Sequence, residues 1–382
     1  MRKTFRKIHL ILGLVSGLIV FVEAITGCAW VFQEEIRELV SPAPEVDPQS
    51  GTRIGPTEAR ALATNIFPGQ TIHGIMYGKG PEEAVNVIFY DAEPEFYASV
   101  FLNPYTGEVL GTEDYLASFF AFVLKGHLYL WLPPTLGVPL VTVGTIIFVL
   151  MLITGLILWW PKNKAARKQR LWFRWKETTR WRRKNFDLHA VFGFYVGALA
   201  FLVAYSGLVM TLAAVRSFTH TALGGEKSAE FSIPASVARA PLREDGTEPV
   251  DQLLGYLETS YPNAEQFEIH FPDSDSASIY VEVTNQRGVF YNADFRFFDQ
   301  YTLEEIPSPS VYGVYEEATF SDLVLRMNYD VHVGAIGGFP TKILAFLISL
   351  LIATLPVTGT LLWIGRIRKK AKAPAKKVAL PA

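Results

Sequence analysis

Four long apolar runs dominate the 382-residue sequence, and they restrict what it can fold into. Each run is about 22 to 25 residues long, which at a rise of 1.5 Å per residue is enough for a helix to cross a hydrocarbon layer of about 30 Å. Only one carboxylate, Glu23, lies inside them. The sequence therefore predicts a bundle of four transmembrane helices. The runs are Ile8–Phe32, Gly137–Trp160, Val191–Ala214 and Ile343–Ile364.

The charges between these runs are sorted by sign. Arg2–Lys7, Lys162–Lys184 and the tail from Arg366 together hold 22 of the 35 lysines and arginines, and only one acid. Because basic loops stay on the cytoplasmic side, both termini and the middle loop are expected to be cytoplasmic. The two long segments, about 34–136 and 215–340, are then expected outside the inner membrane, in the periplasm of a bacterium.

The apolar runs also form a repeat, which predicts that the chain consists of two duplicated halves. Two halves with the same orientation are related by an axis along the membrane normal. Helix one reads His9-x3-Gly13-x3-Gly17-x9-Gly27, and helix three reads His189-x3-Gly193-x3-Gly197-x9-Gly207. Helices two and four end in Thr154-Gly155-x3-Trp159 and Thr358-Gly359-x3-Trp363.

Each outer segment has a helical pattern followed by three runs of alternating apolar residues, which predicts one helix and a three-stranded antiparallel sheet. The helical patterns are Pro56–Phe67 and Pro249–Tyr261. The strand patterns are Thr71–Tyr77, Ala84–Tyr90, Ala98–Leu102, Phe267–Phe271, Ala277–Val283 and Phe290–Phe298. The expected fold class is an α+β membrane protein. Its expected segments are 1–36 (start and helix one), 37–116 (outer module), 117–161 (lead-in and helix two), 162–185 (basic loop), 186–222 (helix three), 223–319 (outer module), 320–365 (lead-in and helix four) and 366–382 (basic tail).

Four of the seven histidines lie at symmetric membrane boundaries. His9 and His189 begin helices one and three on the cytoplasmic side, whereas His127 and His332 precede helices two and four on the periplasmic side. Histidine is costly in a membrane and is usually functional there. A pair that faces across a bundle can supply both axial ligands of a haem iron, or part of a metal site.

The glycines favour haem over a bare metal ion. Gly13 and Gly17, and likewise Gly193 and Gly197, follow their histidine by one and two helical turns on the same face. Such a groove admits a flat macrocycle, whereas a zinc or copper site would favour additional Cys, Met or carboxylate ligands. The alternative is that these small residues simply pack helices together. We therefore predict two haem groups, one ligated by His9 and His189 and the other by His127 and His332.

Other polar residues indicate a functional role less specifically. Lys125, Arg326 and Lys342 lie beside the second histidine pair, where they could bind haem propionates, an anionic substrate or lipid headgroups. His73 and His270 occupy equivalent strands, and exposed strand positions are favoured there over a metal site. His220 ends helix three as a spare ligand or a partner of the helix dipole.

These motifs resemble the PepSY-associated transmembrane family. The residues that carry the resemblance are the His-x3-Gly helix starts, the Thr-Gly-x3-Trp helix ends, and the turn Asn103-Pro104-Tyr105-Thr106-Gly107-Glu108. The second copy of the turn departs from the pattern because Leu303 stands in the place of Gly107. The resemblance covers about residues 1–366 and implies b-type haem, iron acquisition and a cytoplasmic-membrane location, as in ferric-siderophore reductases of the FoxB type.

The functional hypothesis is an oxidoreductase that moves electrons across the membrane to a ferric siderophore or another Fe(III) chelate. The chain lacks a Gly-x-Gly-x-x-Gly turn in a βαβ setting, so the donor is expected to be a cytoplasmic partner or the quinol pool. No nucleic-acid partner is expected. The alternative is a membrane-anchored binding or regulatory protein without a redox role. A metal permease is disfavoured by the small number of helices, the single intramembrane carboxylate and the expectation that no span is broken.

Overall fold

The structure is a computed structural model that describes residues 2–161, 163–236 and 248–371. Lys162 and the basic tail beyond residue 371 lie outside the described residues. The helices are α1 Arg2–Trp30, α2 Gln33–Val40, α3 Pro56–Thr64, α4 Phe119–Tyr129, α5 Pro134–Trp159, α6 Lys164–Arg170, α7 Trp181–Tyr195, α8 Gly197–Thr211, α9 Ala213–Ala222, α10 Val250–Ser260, α11 Phe320–Val333 and α12 Phe339–Ala371. The strands are β1 Ile72–Gly78, β2 Val85–Ala92, β3 Glu95–Leu102, β4 Val109–Asp114, β5 Gln266–His270, β6 Ile279–Thr284, β7 Asp294–Phe298 and β8 Glu305–Ile306.

The chain forms two compact units. The first, the helical unit, comprises the described residues within Met1–Val31, Val123–Leu208 and Ile343–Ala382. The second, the sheet unit, comprises the described residues within Phe32–Phe122 and Val209–Lys342. In both units, residues that are distant in sequence form one packed body.

Three helices, α1, α5 and α12, are long and apolar enough to cross a membrane. Helices α7 and α8 form a fourth crossing only if they are counted as one span, because they are bent by 61° relative to one another. The expectation that no span is broken is therefore wrong, and one argument against a permease is lost. The bend lies at Val196, between Gly193 and Gly197, and glycine costs about 1 kcal/mol relative to alanine inside a helix.

The core of the helical unit joins α1, α5, α8 and α12. Its buried side chains include Val20 of α1, Phe148 of α5, Ala200 of α8 and Ile352 of α12. Ala200 is completely buried, which allows close approach of the backbones where large side chains would hold the helices apart. The four apolar runs thus pack against one another as a bundle.

The sheet unit contains one antiparallel sheet of eight strands in the order β4-β3-β2-β1-β5-β6-β7-β8. The sequence predicted two separate sheets of three strands. Each half has a fourth strand, and the two halves join where β1 pairs with β5 in the register Gly74↔His270 to Gly78↔Gln266. This pairing links residues almost 200 positions apart, so local alternation patterns cannot reveal it.

The sheet has two different faces. Helices α3 and α10 cover one face through a large apolar core that includes Ile75, Leu257 and Ile269. The opposite face carries a smaller aromatic cluster around Tyr280 and Phe297. Successive side chains of a strand point to opposite faces, so residues between the core positions of β5 lie on the aromatic face.

The two copies of the predicted turn have the same geometry although their sequences differ. The side chain of Asn103 accepts hydrogen bonds from the backbone N–H groups of Tyr105 and Thr106, and Asp299 does the same for Tyr301 and Thr302. Gly107 has φ +71°, and Leu303, which replaces it in the second copy, has φ +60°. The second turn therefore keeps the left-handed residue without a glycine, at a cost of roughly 1–2 kcal/mol.

Candidate haem and metal sites

His9 and His189 are held in the same way by two different helix pairs. The Nδ1 atom of His9 on α1 lies 2.9 Å from the Oγ1 of Thr154 on α5. The Nδ1 atom of His189 on α7 lies 2.9 Å from the Oγ1 of Thr358 on α12. In each case the threonine belongs to the Thr-Gly dipeptide that the sequence repeat contains. Sequence reasoning noted this dipeptide but did not assign the threonine to the histidine.

These hydrogen bonds favour one tautomer of each ring. The hydroxyl of Thr154 donates to the carbonyl of Met151, and that of Thr358 donates to the carbonyls of Thr354 and Leu355. Since the hydroxyl hydrogens are used, the threonine oxygens accept from the Nδ1–H groups of the histidines. In this tautomer the Nε2 atom of each ring keeps its lone pair, which a metal ligand needs.

The two imidazole rings are separated by a distance that fits one shared metal centre. Their centres are 6.3 Å apart and their planes make an angle of 78°. With metal–nitrogen bonds of about 2 Å and roughly 1 Å from nitrogen to ring centre, two trans imidazoles have centres about 6 Å apart. The separation of His9 and His189 therefore fits a pair of axial ligands.

A cavity of about 990 Å³ in the helical unit contains both histidines in its lining. The four glycines of the repeat also line it: Gly13, Gly17, Gly193 and Gly197. A Cβ atom built on Gly197 would meet nothing within 4 Å, and one on Gly193 would meet only Leu355 at 3.8 Å. The glycine faces of α7 and α8 thus border open space. This arrangement fits a flat ligand better than direct packing of one helix against another.

Glycines also set the position of the histidine rings. A Cβ atom on Gly155 would lie 3.3 Å from the Cε1 atom of His9, and one on Gly359 would lie 3.2 Å from that of His189. Each Thr-Gly dipeptide therefore supplies a hydrogen-bond acceptor and the space for the ring beside it.

Basic side chains surround the same cavity: Arg2, Lys3, Arg6, Arg170 and Arg366. Arg170 donates to the carbonyl oxygens of Leu158 and Trp160, at 3.0 and 3.3 Å, near the end of α5. Guanidinium and ammonium groups are suitable partners for carboxylates such as haem propionates. Trp159 also lines the cavity and stacks on Phe194, with ring centres 3.6 Å apart.

His127 shows the same arrangement a third time. Its Nδ1 atom lies 3.1 Å from the Oγ1 of Thr26 and 3.0 Å from the carbonyl oxygen of Glu23, both on α1. A Cβ atom on Gly27 would lie 3.5 Å from its Cε1 atom. Because a carbonyl oxygen can only accept, Nδ1 is again the donor and Nε2 keeps its lone pair. The carboxylate of Glu23 accepts a hydrogen bond of 2.9 Å from Thr145 on α5.

The second predicted histidine pair is divided between the two units. His127 belongs to the helical unit, whereas His332 lies in the last turn of α11 in the sheet unit. Helix three carries Ser206-Gly207 where the other three spans carry Thr-Gly. The pairing of His127 with His332 stays a prediction.

The three cations expected near that pair have different surroundings. Arg326 is 4% exposed and donates to the carbonyl oxygens of Gly313 and Ala293, so two of its nitrogens are used inside the sheet unit. Lys342 forms ion pairs with Glu34 and Glu35 at 3.0 and 2.9 Å. Lys125 is half-buried on α4. A propionate or substrate role for these cations stays a prediction.

A second group of potential ligands lies on the sheet. His73 of β1 and Glu268 and His270 of β5 place their ligand atoms within 4.8 Å of one another. His270 is 9% exposed, so its expected exposed position is wrong, whereas His73 is exposed as expected. Burial lowers the pKa of the His270 imidazole to about 3, with a further contribution from His73. Burial and the neighbouring Glu282 raise the pKa of Glu268 to about 8.

His220 has a structural partner. It lies in the last turn of α9 with 1% exposure, and its Nε2 atom is 2.8 Å from the Oδ1 of Asp322 on α11. Burial alone would raise the pKa of Asp322, but hydrogen bonds from His220 and Thr319 lower it below its usual value. His220 therefore ties α9 to the start of α11.

A comparison of the sequence with models of known protein families identifies the family of the chain. The model of the PepSY-associated TM region matches residues 6–366, which is nearly the whole chain. The chain belongs to the PepSY-associated transmembrane family. No curated protein matches it. The resemblance deduced from the motifs is thus confirmed at the level of the family, and the matched residues of this PepSY-associated transmembrane protein include all four boundary histidines.

Proposed function

We propose that this protein is a di-haem b ferric reductase of the bacterial inner membrane, which delivers electrons to Fe(III) chelates such as ferric siderophores in the periplasm. The observation that carries the proposal is the placement of His9 and His189. Their ring centres are 6.3 Å apart, and they line one cavity with four glycines. In the tautomer that the threonine contacts favour, both Nε2 atoms keep a lone pair for a metal ion.

In this function each residue has a defined task. His9 and His189 hold the iron of the inner haem, while Thr154 and Thr358 fix the tautomer and the orientation of the two rings. Gly193 and Gly197 would leave room for the macrocycle, and the surrounding arginines would pair with its carboxylates. When bound, bis-histidine haem b supplies reversible one-electron transfer without an open coordination position. Burial in the apolar bundle keeps water away and tunes the potential.

The proposal includes a duplicated architecture and a defined orientation. The matched His–Thr contacts, 2.9 Å in both halves, support a duplication because each half contains the same hydrogen bond between a histidine and a threonine. The three basic segments, with 22 of the 35 lysines and arginines, support cytoplasmic termini and a cytoplasmic middle loop. The sheet unit then lies in the periplasm, and His127 and His332 are proposed to hold the outer haem.

The substrate is an Fe(III) complex that gains one electron and becomes Fe(II). The lower charge binds hard oxygen ligands less tightly, so iron is released while the chelator stays intact. The electron comes from a quinol or a cytoplasmic reductant. Most of the 37 acids lie in the two outer segments, where they favour the approach of cationic ferric complexes.

Electron delivery can be tested on the purified protein. The detergent-solubilised protein is reduced with a stoichiometric amount of dithionite under argon and then mixed with a ferric chelate, while reoxidation is followed optically and Fe(II) is trapped with a chromogenic chelator. We expect about one Fe(II) per electron stored, and about half the wild-type yield of Fe(II) per chain in His189→Ala, which would keep the outer haem alone. Gly255→Ala, on an exposed face of α10, is the matched control. A colourless protein after expression with ample haem, or a reduced protein that no ferric chelate reoxidises, contradicts the proposal and favours the binding or regulatory alternative.

A further inference from the structure

The middle of the sheet brings together side chains from both of its halves. His73 lies on β1, and Glu268 and His270 lie on β5, the two strands whose pairing unites the sheet. The Oε1 atom of Glu268 is 3.3 Å from the Nε2 atom of His270, and the rings of His73 and His270 have centres 4.7 Å apart. This cluster is separate from the histidines of the helical unit.

A β-bulge turns His73 toward the other two residues. In the pairing of β1 with β2, Ile72 faces Phe89 and Gly74 faces the next residue, Ile88, so His73 is an extra residue without a partner. Ile72 and Ile75 both pack against the core under α3 and α10, which regular alternation would not permit. Because of the extra residue, the side chain of His73 lies on the same face of the sheet as those of Glu268 and His270.

The surroundings of the cluster hold it in place. A hydrogen bond to the backbone of His73 engages the His270 ring, and Tyr280 stacks on that ring with centres 4.4 Å apart. At Gly74 an added Cβ atom would lie 3.2 Å from the Nδ1 of His270 and 3.4 Å from the Oε1 of Glu268. Glycine at this position therefore leaves the space that the two ligands occupy.

The separations fit a small metal ion. Ligand atoms bonded to one ion at about 2.1 Å lie roughly 3 to 3.4 Å from their neighbours, which is the separation of Glu268 and His270. The ligand atoms of the three residues all lie within 4.8 Å of one another. Shifts of less than about 1 Å in these atoms would let all three bind one ion. The exposed side chain of His73 can make this shift without disturbing the core.

We propose that His73, Glu268 and His270 form a binding site for a divalent first-row transition-metal ion. Two imidazoles and one carboxylate suit such an ion, whereas calcium and magnesium prefer sites made of oxygen ligands alone. Three protein ligands leave further coordination positions open. A cavity of about 890 Å³, which all three residues line, gives water or a small anionic ligand access to these positions. The site does not depend on the proposed haem.

The proposal is tested with Zn²⁺ as the probe on the full-length protein in detergent, after removal of any affinity tag and of bound metal by chelation. Zinc binding is measured by calorimetry and by metal analysis after equilibrium dialysis, for the wild type and for His73→Ala, Glu268→Gln and Asp273→Asn. Asp273 lines the same cavity but lies outside the cluster, so it is the matched control. Melting temperatures show whether each variant is folded.

We expect the wild type to bind one Zn²⁺ more tightly than the ligand variants do. His73→Ala and Glu268→Gln each weaken this binding by about tenfold or more, and Asp273→Asn leaves it unchanged. Since His73 is exposed, its replacement leaves the fold intact. Equal zinc affinity and stoichiometry in the wild type and both ligand variants would overturn the proposal, whatever the haem content of the protein.

Discussion

His9 and His189 face each other edge to face, with ring centres 6.3 Å apart and ring planes at 78°. Each ring is fixed by a threonine on another helix, so the geometry depends on the packing of α1 against α5 and of α7 against α12. His9 and His189 would hold one iron from two independently packed helix pairs. The relationship thus connects the packing of the bundle to the electronic properties of the proposed haem.

The threonine contacts predict a measurable effect on haem binding. Thr154→Val keeps the size of the side chain but removes the acceptor for the Nδ1–H group of His9. We expect haem at this site to bind about 10–100-fold more weakly, since loss of an outer-shell hydrogen bond has effects of this size on metal affinity. Haem transfer to apomyoglobin measures the change.

Thr142→Val is the control for this prediction. Thr142 lies on the same helix, and its hydroxyl donates to the carbonyl of Val138. We expect its replacement to leave haem transfer unchanged. Equal haem loss from Thr142→Val and Thr154→Val would show that the effect comes from the helix and not from the contact with His9.

The open space beside Gly193 predicts that a larger side chain excludes haem while the protein still folds. Gly193→Leu places its side chain in the cavity, where a Cβ atom meets only Leu355. We expect the inner haem to be lost while the elution volume from a size-exclusion column stays that of the wild type. Gly255→Leu, on the exposed face of α10, should keep its haem. Full haem occupancy in Gly193→Leu would favour the view that the glycines serve helix packing only.

The turn at Asn103 predicts that alanine lowers the stability of the protein at Gly107 but not at Gly111. Gly107 has φ +71°, and a Cβ atom there would lie 2.4 Å from the side chain of Leu62. Gly107→Ala should lower the free energy of unfolding by about 1–2 kcal/mol because alanine is strained in this conformation. Gly111→Ala, where nothing lies within 4 Å, should be neutral or slightly stabilising. Thermal unfolding of both variants in one detergent makes the comparison, and equal melting temperatures would contradict it.

Stability in acid should depend on Asp322. Its pKa in the folded protein is lowered by hydrogen bonds from His220 and Thr319, so the ionised carboxylate contributes stability above its unfolded value of 3.8. This contribution is lost as the pH falls through the lower folded pKa. Asp322→Asn should unfold about 1–3 kcal/mol more easily at pH 6. The difference from wild type should shrink toward pH 3, and a difference independent of pH would contradict this role.

Local sequence patterns were sufficient for the features that depend on neighbouring residues. The apolar runs, the shared His–Gly spacing and the position of the turn at Asn103 all follow from short-range periodicity. The break at Val196 could not be predicted in this way because the sequence stays apolar on both sides of it. The flanking residues Gly193 and Gly197 were interpreted as a groove for haem, although glycine also weakens a helix.

The sheet cluster lay beyond sequence reasoning for a different reason. The pairing of β1 with β5 joins distant segments, and only that pairing brings His73 near His270. The bulge at His73 then changes the face on which its side chain lies, which a strict two-residue alternation assigns incorrectly. The threonine partners of the histidines were visible as a repeated Thr-Gly dipeptide, but their contact depends on helix packing.

The central claim, that His9 and His189 share one haem, is tested most directly by counting haem. Pyridine haemochrome analysis of wild type, His9→Ala, His189→Ala and the double variant gives the number per chain. The account predicts about two haems in the wild type and about one in each of the three variants, because both histidines serve the same iron. A full complement of haem in either single variant, or none in the double variant, would contradict it.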